Sequence, residues 1–162
     1  MQQLWAPWRI EYIQNIRNKK EKGCIFCLYP KKKDLAKVLI LAQTPLSFVI
    51  LNKFPYSNGH LLVVPKRHVS RLEELSSEEG LDLFLVKQKT VEILQKVFKP
   101  EGFNIGMNMG KAAGAGIEKH LHAHIVPRWF GDTNFMPVLT HSKVISEGLD
   151  KTYKRLSPYF KK

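Results

Sequence analysis

Three of the six histidines in this 162-residue chain stand at alternate positions, His120, His122 and His124, within KHLHAHIVPRW. Side chains in an extended segment alternate faces with a period of two. The three imidazoles therefore share one face, and Leu121, Ala123 and Ile125 turn to the other, into a core. Neighbouring rings hang from Cα atoms roughly 6.5–7 Å apart, two steps of ~3.3 Å. Such a row could be a polar sheet face that happens to be His-rich, although chance clustering of half the histidines argues against it. It could be a metal site, neutral imidazole being the commonest metal ligand. It could also be a nucleophilic centre, in which one imidazole attacks and its neighbours orient it.

Two further stretches carry candidate chemistry. Cys24 and Cys27, the only cysteines, form GCIFC. A reducing cytosol argues against a structural disulfide, which leaves a redox pair, half of a metal site or a coincidence. The thioredoxin-like option is poor, because this CxxC is not expected to open a helix after a clear strand. NMGKAAGAGIEK, just before the histidines, contains Gly110, Gly114 and Gly116. Small residues let backbone N–H groups approach phosphate oxygens closely, so its position makes this loop a candidate phosphate cradle.

The elements that must position these groups are legible in outline. VLILAQ (38–43) and SFVILN (47–52) read as a hairpin across Thr44-Pro45-Leu46, and HLLVVP (60–65) as a third strand. Ser76 and Glu79 have the capping-box spacing that starts a helix. Leu81, Phe84, Leu85, Val91, Leu94 and Phe98 fall largely on one face of it, with Leu83, Val86 and Ile93 off that face. Pro100 and Gly102 end the helix. FNIGMNMG (103–110) and HLHAHIV (120–126) are the fourth and fifth strands, and 146–156 is a short C-terminal helix. Three strands, a long helix and two more strands predict an α+β fold, a five-stranded antiparallel sheet with its helices on one side.

A chain of 162 residues, 44% hydrophobic, fits one domain with a real core. No run reaches the ~18 apolar residues of a membrane span. The first residues lack a secretory pattern, so the cytoplasm is the expected compartment. The aromatic segment 1–17, with Trp5, Trp8 and Tyr12, is expected to pack on the body. The formal charge of +12 favours anionic partners. Part of it sits in Lys19, Lys20, Lys22 and Lys31 to Lys33, which read as solvated surface.

H-x-H-x-H followed by two apolar residues, Pro and Arg resembles the histidine triad (HIT) family of nucleotide hydrolases and transferases. GHLLVVPKRH (59–68) and CIFC resemble further stretches of that family, over roughly 24–130. LWAPWR and PRWFGDTNF (127–135) are similar to its branch acting on diadenosine tetraphosphate. The resemblance implies a single HIT domain over 1–162, with extensions packed on the core.

It also implies roles. His122 would attack the α-phosphorus, its other ring nitrogen keeping a proton bonded to a backbone carbonyl. His124 and His60 would contact phosphate oxygens, and Asn108 is a phosphate-contacting position. Asn52 would hold the ribose, and Phe26, Leu51 and Trp129 could line the base or equally belong to the core. Gly114 and Gly116 belong to the phosphate loop, but Gly116 stands where many members carry Ser or Thr. Cys24, Cys27, His68 and His120 match a structural zinc site, so His120 would be structural rather than catalytic. His141 lies outside every matched motif and reads as a surface residue.

The implied activity is cleavage of diadenosine tetraphosphate through a covalent nucleotidyl-histidine, with phosphate or water as acceptor. A phosphoramidase of the same family is one alternative, and a non-catalytic zinc-bearing nucleotide or nucleic-acid binder is another. No basic stripe interleaved with aromatics favours nucleic acid. The resemblance further implies a homodimer and no organic cofactor.

Overall fold

The computed structural model describes residues 23–132 and 144–161. Trp5, Trp8, Tyr12, Lys19, Lys20, Lys22, the LWAPWR stretch, residues 133–135 and His141 lie outside the described residues. Five strands, β1 (Ile40–Gln43), β2 (Ser47–Leu51), β3 (Leu61–Pro65), β4 (Gly102–Met107) and β5 (Ala123–Arg128), form one antiparallel sheet in the order β1-β2-β3-β5-β4. A one-turn helix α1 (Ile25–Leu28) precedes it, the long α2 (Ser77–Phe98) joins β3 to β4, and α3 (Leu149–Phe160) closes the chain. The architecture is the α+β layer expected from the element order.

Every residue of β2 and β3 is buried, because the sheet is covered on both faces. On one face Leu51, Leu61, Val63, Ala123 and Ile125 pack with Leu83, Ile93 and Leu94 of α2 and Leu156 of α3. On the other, Ile40, Phe48, Ile50, Leu62 and Val64 pack with Phe26 of α1. The expectation of helices on one side therefore holds for α2 and α3 but not for α1. That small turn does open at the cysteine pair, with Cys24 as its N-cap. No strand precedes it among the described residues.

Helix α2 begins as the sequence dictates. Ser76 Oγ accepts the Glu79 N–H at 3.2 Å and the Glu79 carboxylate accepts the Ser76 N–H at 2.9 Å. The expected apolar face divides: Leu94, with Val91 and Phe98 against it, packs in the core. Leu83 and Ile93 enter the core, while Leu81, Phe84 and Leu85 are 60%, 53% and 53% exposed. Both stripes are apolar at helical spacing, so periodicity alone could not choose between them.

The histidine strand starts later than expected. Register pairs Leu61 with Ile125, Leu62 with His124 and Val63 with Ala123, and the ladder then stops. β3 ends at Pro65, which has no N–H to donate. Leu121 N–H turns instead to Val69 O, and the Pro65 carbonyl accepts from the His120 ring. His120 and His122 thus lie in an extended lead-in, and alternation persists: both rings pack on Phe26, whereas Ala123 and Ile125 join the cluster under α2. β4 likewise ends at Met107, paired with Ala123, short of the expected residue 110.

Candidate active site

His122 carries a fixed tautomer. Its Nδ1 lies 2.8 Å from the His120 carbonyl, which can only accept, so Nδ1 holds the proton and Nε2 keeps a lone pair. The ring is 5% exposed, its centroid 5.2 Å from Phe26 and 5.0 Å from His124. Burial depresses its pKa, opposed by the bond to His120, which favours the neutral, nucleophilic form.

A second chain of bonds fixes the next two rings. The Tyr56 N–H donates to His60 Nδ1 at 3.0 Å, so the His60 proton sits on Nε2. That nitrogen lies 3.0 Å from His124 Nδ1 and donates to it. The His124 proton is thereby forced to Nε2, which is buried without a partner among the described residues. Burial first, then neighbouring imidazoles, lower His60 to about 3 and His124 to about 4. Both are neutral near pH 7, and His124 offers a hydrogen bond rather than a ready proton. His60 is wholly buried. Its ring is bonded to His124 and closed off from the surface, so the structure gives no direct phosphate contact of the kind expected of it.

His120 faces away from this relay. Its Nε2–H donates to Pro65 O at 2.8 Å, leaving the Nδ1 lone pair 3.2 Å from Cys24 Sγ and 3.6 Å from Cys27 Sγ. His68 Nδ1 lies 3.2 Å from Cys27 Sγ. One ligand atom from each of Cys24, Cys27, His68 and His120 falls within 4.8 Å of the others, so this quartet could hold a metal ion. Burial and then Cys24 push the Cys27 thiol up; a bound cation would draw off that proton.

The remaining expected site residues divide. Asn108 lines a cleft with His124, Tyr56, Asn104, Gly106 and Val126. Asn52 lies beside His60: its Oδ1 accepts the Phe54 N–H at 2.9 Å and its Nδ2 stands 3.3 Å from His60 Nδ1. Gly114 takes a left-handed φ of +80° after the turn Lys111–Ala113, as Gly110 does before it at +78°. Gly116 needs no such conformation, and a Cβ there meets nothing within 4 Å. Leu51 cannot line a base on this face: it belongs to the cluster under α2, on the far side of the sheet from His124. Phe26 is 2% exposed and packs edge-on to Phe48 and His120, a core ring under the histidines rather than an open stacking platform. Trp129 lines a separate cleft of about 240 Å³ with Ser57, Asn58, Phe130, Asp132 and Ser146. Tyr56, Asn104 and Gly106 had no signal in the sequence; register alone sets Gly106 opposite His124.

A HIT-domain family model matches residues 32–131, which contain the triad, His60 and His68. The chain belongs to the HIT family. AP-4-A phosphorylase of Mycobacterium tuberculosis is 38% identical over 163 residues, covering 97% of this chain and 83% of that protein. A Zn-bound HIT protein from Mycobacterium smegmatis superposes with TM-score 0.68 at 25% identity, over 86% of this chain and 94% of that one. A histidine triad nucleotide-binding protein from Sulfolobus tokodaii gives TM-score 0.69 at 26% identity, over 85% and 92%. The HIT match begins after Cys24 and Cys27, so the cysteine half of the metal cluster lies outside it.

Proposed function

We propose that the protein cleaves dinucleoside polyphosphates, with diadenosine tetraphosphate as substrate, through a nucleotidyl group carried on His122. One observation carries the mechanism: the His120 carbonyl holds the proton on His122 Nδ1 and leaves Nε2 free. The Nε2 lone pair attacks the α-phosphorus; a P–N bond forms, the P–O bond to the next phosphate breaks, and the departing nucleotide takes its electron pair. An acceptor oxygen then attacks the same phosphorus and returns the pair to Nε2. Water gives AMP and loses a proton, whereas inorganic phosphate gives ADP. The similarity to AP-4-A phosphorylase favours phosphate.

His124 Nε2–H donates toward the charge that develops on the phosphoryl oxygens, a use suited to a neutral imidazole. A polyphosphate leaves as a stable anion without a proton. An amine needs one, so the low values for His60 and His124 favour anhydride over phosphoramidate cleavage. Asn52 is assigned to the ribose, and Asn108 with the Gly114–Gly116 loop to the phosphates.

Cys24, Cys27, His68 and His120 are assigned to a structural Zn²⁺. Two thiolates and two imidazoles close a tetrahedral site with no position left for substrate. The same reading makes 1–162 one cytoplasmic HIT domain that pairs as a homodimer.

The test is incubation with diadenosine tetraphosphate, with and without inorganic phosphate, and identification of the products. Phosphate-dependent ADP is expected. His122→Ala should abolish turnover while nucleotide affinity stays within a few-fold. Near wild-type rates in that variant would refute the covalent route.

A further inference from the structure

The cleft that contains His124 extends beyond that residue to Asn104 and Val126. It runs over the β4–β5 pair and has a volume of about 270 Å³. Gly106 stands opposite His124 and a Cβ there would meet nothing, so this side is open. Arg128 follows Val126 by two residues on the same face of β5, outside the lining of the cleft but bonded to its wall. Its Nη1 donates to Asn104 Oδ1 at 2.6 Å, and its Nε and Nη2 grip the Asp132 carboxylate at 2.5 and 3.0 Å. Asn104 lines this cleft and Asp132 lines the one around Trp129, so the guanidinium bridges the walls of both.

The polarity of these groups defines what can occupy the cleft. Arginine only donates. Asn104 must therefore show its oxygen to Arg128, which turns its NH₂ group away from the guanidinium. Arg128 uses three of its five N–H groups on Asp132 and Asn104 and, among the described residues, keeps two. His124 presents a buried N–H with no partner. His124, Asn104 and Arg128 thus carry N–H donors along one face of the β4–β5 pair, an arrangement that fits a ligand made of acceptors, such as a phosphate chain. Four residues of strand separate His124 from Arg128, about 13 Å at ~3.3 Å per residue. A single phosphate beside His124 cannot span that; a nucleoside triphosphate can.

We propose that this cleft is the leaving-nucleotide subsite. The polyphosphate runs from His122 past His124 along β5, Arg128 binds its distal end, and the second nucleoside enters the cleft around Trp129. The assignment rests on the dinucleoside polyphosphate reading and adds a residue that measures chain length.

The test compares diadenosine tetraphosphate with the p-nitrophenyl ester of AMP. Both break a P–O bond at the same phosphorus, but the ester's leaving group ends near His124. In Arg128→Ala the ratio of kcat/KM values, tetraphosphate over ester, should fall about tenfold or more, the worth of one charge-assisted hydrogen bond. Arg128→Lys should recover part of it. Because Arg128→Ala also unties Asp132 and could unfold the strand exit, Asn104→Ala supplies a second variant. It leaves the Arg128–Asp132 pair intact and should lower the ratio roughly threefold. Ratios within about twofold of wild type in both variants, less than a weak hydrogen bond, overturn the subsite. A wild-type protein that turns over neither substrate instead overturns the functional reading.

Discussion

The tautomer of each histidine decides its task, and a backbone group decides each tautomer. A carbonyl on His122 Nδ1 leaves the Nε2 lone pair that the proposed route uses, and an amide on His60 Nδ1 leaves His124 Nε2 as a donor. Keeping these rings neutral has a consequence for stability. His60 titrates at about 3 and His124 at about 4 in the fold, below the ordinary histidine value near 6.5. Between those limits the unfolded chain binds protons that the folded chain does not, so stability rises with pH there. It is fully present above about 6.5 and is lost as pH falls through that window. The melting temperature measured by calorimetry should therefore drop from pH 7 to pH 5, and His60→Asn should make the drop shallower. An unchanged slope would show that His60 does not titrate on unfolding. Glu79, lowered to about 2 chiefly by its bond to Arg67, adds to the loss only at lower pH, below the ordinary carboxylate range.

At the scale of elements, the small α1 turn has more influence than its length suggests. Cys24 and Cys27 flank Phe26, whose ring packs on both His120 and His122. A metal at the quartet would join this turn to the triad segment and to the loop after β3 that carries His68. Purified protein should contain about one equivalent of zinc, and a chelator should lower both the melting temperature, by several degrees, and the turnover. Metal below about a tenth of an equivalent, with a chelator leaving melting unmoved, would refute the site. On the opposite face of the sheet, Gly59 takes a φ of +71° where a Cβ would meet Phe98 at 3.1 Å. Its backbone brings His60 directly onto β3 while α2 stays packed beneath.

For the whole molecule, the stripe of α2 that misses the core becomes informative. Leu81, Phe84 and Leu85 are apolar and more than half exposed, and β4 is the end strand of the sheet among the described residues. A homodimer using both would bury the stripe and continue the sheet across a two-fold axis. Each substitution in such an interface counts twice. Phe84→Asp removes a side chain worth about 1.5–3 kcal/mol of burial per copy, so sedimentation should show a monomer where the wild type is a dimer. A wild type that sediments as a monomer at micromolar concentration would refute the dimer.

The sequence alone determined the groups whose roles depend on spacing within one element. Alternation set the three histidines on one side, Ser76 and Glu79 started α2, and the strand order of appearance gave the α+β layer. The resemblance matched Cys24, Cys27, His68 and His120 before coordinates brought them together. Tertiary structure decided whatever depends on partners far along the chain. Periodicity finds an apolar face but not the surface it will meet, so only the structure divides the apolar residues of α2 between core and exterior and sends Leu51 to the core. His60 and His124 are 64 positions apart, and the proton on one fixes the proton on the other. Arg128 has no visible task until folding sets Asn104 and Asp132 on either side of it, because a hydrogen bond depends on distance and direction in space, and neither is written in sequence order.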